Sequence, residues 1–139
     1  VLGVVSCGDY QSFTVADIPG LIEGASEGAG MGIRFLKHIE RTRLFLHLID
    51  LKDPEHPDPW KSFLGIRKEL ESYSSEFSKR TQWVVLTKRD QFSDPDLLKK
   101  AMAQFESRGY RVFAISAVTG EGLDFLIQAV GEEVRKKAL

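Results

Sequence analysis

Apolar and polar positions alternate along this chain in two periods. The first twenty residues hold two short apolar runs, LGVVS and SFTVA, separated by CGDYQ, whose Gly8-Asp9 pair supplies turn chemistry. This predicts an antiparallel hairpin. After a glycine-rich stretch, IRFLKHIERT places Ile33, Leu36 and Ile39 at helical spacing, and LFLHLID follows as a buried strand ending in Asp50. The alternation then repeats. Asp58-Pro59 is a helix start with proline at the first helical position, followed by a stripe of Trp60, Phe63, Ile66 or Leu70, and Tyr73. WVVLTK is the next strand. Asp94-Pro95 opens a helix through Leu98, Met102 and Phe105 that Gly109 closes, YRVFAIS is the strand beyond it, and Leu123, Leu126, Ile127, Val130 and Val134 make a closing amphipathic helix. Strands rich in Val, Ile and Phe that alternate with helices imply an α/β fold. Its sheet is mostly parallel, covered on both faces and joined by right-handed crossovers.

Composition narrows the classes of function. A chain of 139 residues, 42% hydrophobic and 28% charged, suits one globular domain. Nineteen Lys and Arg against twenty Asp and Glu leave a net charge of -1, which argues against a general polycation that coats nucleic acid or an anionic membrane, so any such partner must use a local patch, and no DNA partner is expected. Cys7 is the single cysteine, so there is no internal disulfide and no cysteine cluster for zinc. Cys7 reads as a small strand hydrophobe. No apolar run reaches the length of a membrane span, and the expected location is cytoplasmic.

Ligands of such sheets sit at the carboxyl ends of the strands, which here are Asp17, Asp50, Thr87-Lys88-Arg89-Asp90 and Ser116-Ala117. In TKRD, a carboxylate at a strand end can accept two parallel hydrogen bonds from the ring N–H and exocyclic amine of guanine. Adenine offers no such pair, so Asp90 would read guanine while the Lys88 stem lies along the purine face. In SAVTGEG, small residues at Ser116 and Ala117 let a backbone N–H approach a base oxygen, and Gly120 and Gly122 keep the turn open. In DIPG, Asp17 can hold a magnesium ion through water, and Gly20, lacking a Cβ, can aim its N–H at a terminal phosphate. Each stretch alone is also what an ordinary polar turn looks like. Their order on successive strand ends is what favours a nucleotide site over three unrelated turns.

The stretch DIPGLIEGASEGAGMGIRFLKHIERTRLFLHLID closely resembles the Obg family of GTPases, as does LGVV followed by FTVADIPG before it. The resemblance covers essentially the whole chain and is most specific between Leu2 and Asp50. It implies the three-layer fold of P-loop NTPase-like GTPase domains, with an antiparallel N-terminal hairpin and without that fold's first strand and helix. It further implies a switch protein that binds GTP or GDP with Mg2+ and hydrolyses GTP. On this reading Asp17, Ile18, Pro19 and Gly20 face magnesium and the γ-phosphate, with Asp17 the metal ligand and Gly20 the catalytic candidate. Residues 21–32 form the second switch, Thr87, Lys88, Arg89 and Asp90 recognise guanine, and Ser116, Ala117 and Val118 support the base. The implied partner is the large ribosomal subunit, through its RNA or protein, in ribosome biogenesis. Arg34, Lys37 and Arg41, within a basic run, are the candidate contacts, although a solvated helix face has the same composition.

Three departures matter. The guanine motif of the family usually begins with Asn, and here it is Thr87, so weaker binding with retained guanine preference is expected. Many GTPases place a water-orienting glutamine after Asp-x-x-Gly, whereas Leu21 cannot hydrogen-bond water, so slow intrinsic hydrolysis is expected. No Gly-x-x-x-x-Gly-Lys-Ser/Thr occurs in the chain. The family carries that loop upstream of Leu2, so residues 1–139 are expected to be a partial G domain, from just after the first switch to the C-terminal helix. Such a part is expected to be marginally stable and inactive alone, with a gap of ~9–10 Å where a central strand belongs. The alternatives are a nucleotide-incompetent interaction module that keeps a GTPase-like face, and a receiver-like or flavodoxin-like domain. The latter explains the strand-end aspartates but not TKRD paired with SA.

Overall fold

The computed structural model describes residues 2–8 and 11–16 by their backbone, together with residues 41–52, 54–55, 57–73, 75–91 and 94–138. Strands β1 (Leu2–Gly8) and β2 (Gln11–Ala16) form the expected antiparallel hairpin, with an irregularity in register between Ser6 and Gly8. Three further strands, β3 (Leu44–Asp50), β4 (Thr81–Thr87) and β5 (Val112–Ala114), form a separate parallel sheet in the order β3-β4-β5. Helices α1 (Pro59–Tyr73), α2 (Pro95–Glu106) and α3 (Leu123–Ala138) connect and follow these strands. Short 3-10 turns at Ser75–Lys79 and Arg89–Gln91 complete the described elements.

Local chemistry explains the helix ends. Asp58 accepts from the backbone N–H of Trp60 at 3.0 Å, and Asp94 accepts from that of Asp96 at 2.9 Å, each ahead of a proline whose missing N–H costs the first turn nothing. The regular part of α2 stops at Glu106, capped by Ser107, three residues before the glycine expected to close it. Gly109 then takes φ +86°, so that its own N–H reaches Glu106 O at 3.0 Å and the N–H of Tyr110 reaches Phe105 O at 3.1 Å. This paired return satisfies the last carbonyls, and glycine enters the left-handed region without a Cβ penalty.

The parallel sheet is the middle of three layers. Val84, Leu86 and Val112 face α1 and α2, packing with Ile49, Phe63 and Phe105. Trp83, Val85, Phe113 and Ile115 face α3, packing with Leu126, Ala129 and Val130. Helix α3 also packs against β1, β2 and β3, and Arg43 Nη1 donates to its Val134 carbonyl at 3.5 Å. In LFLHLID, Phe45, His47 and Ile49 are buried on one face, whereas on the other Leu44 and Leu46 are half-buried against the α3-side cluster and Leu48 is 61% exposed. Among the described residues β3 pairs with β4 alone. The expected strand YRVFAIS is also shorter, although Ile115 continues the ladder by donating to Leu86 O at 2.9 Å.

His47 is a structural residue of this core. Its Nε2–H donates to Gln82 Oε1 at 3.2 Å, and its ring stands edge-on to Phe63 with centroids 4.8 Å apart. Burial lowers its pKa from 6.5 to about 4, against the raising effect of the Gln82 hydrogen bond and with a smaller lowering effect from Arg67. The folded state therefore keeps His47 neutral where the unfolded chain protonates it. Stability is full above the unfolded pKa and falls as pH drops from about 6.5 towards 4. The expected loss is about 2 kcal/mol by pH 5, read as a falling urea midpoint. In His47→Leu the decline over this window shrinks by that amount; an unchanged decline would assign it to other groups.

Candidate functional site

The register of the parallel sheet brings its polar strand ends to one edge. Asp50 lies beside Thr87, and Leu86 beside Ala114, so the loops after β3, β4 and β5 emerge together at their carboxyl ends. Thr87 Oγ1 donates to Ile49 O at 3.3 Å, tying the first residue of TKRD to the neighbouring strand. Lys88 follows at φ +64°, the one non-glycine residue with a positive φ among the described residues. That backbone costs about 1–2 kcal/mol in an L-residue. An ion pair from Lys88 Nζ to Asp50 Oδ2 at 2.7 Å accompanies it, while Asp50 Oδ1 accepts from the Lys52 N–H at 2.7 Å. Asp50, legible in the sequence only as a strand end, thus anchors the lysine of the motif.

Ser116 joins the other two loops. It is fully buried, and each of its polar atoms has a partner. Its Oγ donates to Asp90 Oδ1 at 2.8 Å and accepts from the Thr119 N–H at 3.1 Å; its N–H donates to Glu121 O at 2.9 Å, and its carbonyl accepts from the Gly120 N–H at 2.8 Å. The turn requires its glycines, because Gly120 and Gly122 sit at φ +82° and +81°, and a Cβ on Gly122 would collide with the Ala114 carbonyl. Asp90 itself is exposed, and among the described residues its carboxylate accepts from Ser116 alone. A fixed, solvent-open carboxylate at a strand end is an acceptor for a ligand that offers neighbouring N–H donors.

Ala117 and Val118 lie exposed on the same turn, Val118 at 85%. Arg89 is also at this edge, with its side chain engaged by residues 114 and 121. Neither that engagement nor the Lys88–Asp50 pair has a local signal, since both depend on loops brought together by strand order. Asp17, Ile18, Pro19, Gly20, the glycine-rich residues 21–32, Arg34 and Lys37 lie outside the described residues, as does His56. Arg41 is described and exposed. Among the described residues no group of three or more His, Cys, Asp or Glu side chains is placed to hold a metal ion, and no helix is long and apolar enough to cross a membrane.

A parallel sheet between two helix layers, with its polar loops at the carboxyl ends of the strands, is an α/β fold of the kind that P-loop GTPases have. The likeness extends to a solved structure of a variant of the GTPase Era from Aquifex aeolicus bound to GDP and aluminium fluoride, with a TM-score of 0.67 and 20% identity over 95% of this chain and 43% of that one. The chain belongs to the 50S ribosome-binding GTPase family, whose model matches residues 1–88. Within it, the chain is 51% identical over 135 residues to the GTPase Obg of Syntrophotalea carbinolica, 50% over 136 residues to that of Persephonella marina, and 50% over 137 residues to that of Thermodesulfovibrio yellowstonii. These matches cover 97–99% of this chain and 38–41% of those proteins, so the chain spans about two fifths of the curated relatives' length.

Proposed function

We propose that this chain is part of a guanine-nucleotide switch that binds GTP and GDP and hydrolyses GTP, with residues 1–139 forming a partial Obg-type G domain. The observation that carries the reading is the Asp90 carboxylate held by buried Ser116 at the carboxyl edge of the parallel sheet. Asp90 accepts from the ring N–H and exocyclic amine of guanine, Lys88 lies along the purine with its ammonium on Asp50, and the turn of Ser116, Ala117 and Val118 supplies backbone N–H to the base oxygen. Thr87 hydrogen-bonds the neighbouring strand through Ile49 O, and with this shorter side chain in place of Asn the site keeps guanine preference with weaker binding. On the phosphate side Asp17 would hold magnesium and Gly20 would present its N–H to the γ-phosphate. Magnesium neutralises phosphate charge during transfer. Leu21 leaves the attacking water to be positioned by switch backbone, an ion or a partner. The cytoplasmic large ribosomal subunit is the proposed partner, on the strength of the family's description and the basic Arg34, Lys37 and Arg41.

Titration of the full-length protein with fluorescent GDP, GTP and ATP tests this. Binding of both guanine nucleotides with ATP at least about 100-fold weaker is expected, the worth of two hydrogen bonds to a charged acceptor. Equal binding of ATP and GTP, or none of either, would refute it.

A further inference from the structure

The two base-side loops are joined by more than the Ser116–Asp90 hydrogen bond. Every described contact of Arg89 beyond its own loop goes to residues 114–121. Its N–H donates to Ile115 O at 3.0 Å, its Nη1 to Ala114 O at 3.4 Å, and its Nε pairs with Glu121 Oε1 at 3.0 Å. The Glu121 carbonyl accepts from the Ser116 N–H at 2.9 Å, and Ser116 Oγ donates to the carboxylate of Asp90, the residue next to Arg89. The connections close on themselves as Arg89, Glu121, Ser116, Asp90 and back along the chain. Neither end of this ring can drift without stretching a hydrogen bond on the other.

We propose that Arg89 is a positioning residue whose clamp on Glu121 and the Ala114 carbonyl holds Asp90 and Ser116 in register, and so sets how fast guanine nucleotide leaves. This rests on the guanine reading above. Arg89 then serves the nucleotide through Asp90, not by touching it, because its guanidinium is already engaged by the neighbouring loop. The side chains of the pair are 37% and 53% exposed, so water and salt reach them. The clamp is therefore weak and adjustable. A rigid buried pair would make release insensitive to the medium, whereas this one lets ionic strength act on the rate.

The test is the release rate of fluorescent GDP from the full-length protein. Arg89→Ala and Glu121→Ala are each expected to accelerate release about three- to fivefold at low salt, the range of an exposed ion pair. The double alanine variant should release no faster than Arg89→Ala alone, which already loses both the Glu121 pair and the Ala114 contact, and the reversed pair Arg89→Glu with Glu121→Arg should recover part of the loss. Raising salt from about 0.05 to about 1 M shrinks the Debye length to about 3 Å, so the ratio of variant to wild-type rate should fall towards one. Acceleration that is additive and indifferent to both salt and charge reversal would mark a general loosening and overturn the clamp. So would unchanged release in Arg89→Ala while Asp90→Asn still abolishes guanine preference, and there the guanine reading survives. A wild-type protein without guanine preference overturns both.

Discussion

Replacing Asp90 by asparagine is expected to weaken GDP binding by about 100-fold or more and to create binding of the xanthine nucleotide. The carboxylate offers two acceptors, one already shared with Ser116 Oγ at 2.8 Å, to a base edge that presents two donors. Asparagine presents one acceptor and one donor, so the exocyclic amine of guanine would face an amide NH2. A hydrogen bond to a charged group is worth about 1.5–3 kcal/mol, and a donor left facing a donor costs its desolvation as well. Xanthine carries a carbonyl where guanine carries the amine, which restores the match. Because Asp90 is exposed and the amide oxygen can still accept from Ser116, the melting temperature should move little. Fluorescent titrations with guanine and xanthine nucleotides measure both arms; undiminished GDP affinity would remove Asp90 from the base site.

Phe63→Ala is expected to cost about 3–5 kcal/mol of folding stability, the range for truncating a buried aromatic. Phe63 is 0% exposed and stands at the centre of one face of the core. Its ring meets His47 and Tyr110 at 4.8 Å, Trp60 at 5.5 Å and Phe105 at 5.6 Å, the last almost perpendicular at 87°. Alanine would leave a cavity that four large rings, fixed on different elements, cannot all move to fill. Since whole domains are stable by only about 5–15 kcal/mol, the loss should appear as a large fall in the urea midpoint. Its neighbour Leu64, on the outer side of α1 and 38% exposed, is the control, with a change of about 1 kcal/mol or less to alanine. Similar midpoints for the two variants would contradict the packing described.

The elements that the chain's pattern predicts are those whose causes are local. Both Asp-Pro helix starts form because each aspartate caps the N–H two residues on. Phe63 and Leu70 are buried as their spacing requires, and Val130 and Leu126 likewise. Of the choice between Ile66 and Leu70, Leu70 at 2% exposure is the core residue. Two features of β3 depend on distant elements. LFLHLID looks uniformly apolar and so reads as a buried strand, but Leu48 is largely exposed while Leu44 and Leu46 on the same face are half-buried against the α3-side cluster, a difference set by which helix residues lie over each position. His47 reads as a bare strand residue, and its neutral, aromatic surroundings come from α1 and the turn at Ser75–Lys79, which no window around position 47 contains.

The candidate site divides in the same way. Side-chain chemistry and motif order alone pick out Thr87–Asp90 and Ser116–Ala117, because a carboxylate after one strand and small residues after the next are chemical facts of single segments. Which groups meet is decided by the parallel register, which sets Asp50 beside Thr87 and so puts the Lys88 ammonium on the Asp50 carboxylate. The same sheet order lays the loop after β4 against the loop after β5, giving Ser116 its hold on Asp90 and Arg89 its hold on Glu121. Periodicity and capping act over a few residues and are written in the chain itself. Ion pairs and hydrogen bonds between loops have a range of about 3 Å and no preference for sequence distance, so only the folded sheet selects their partners.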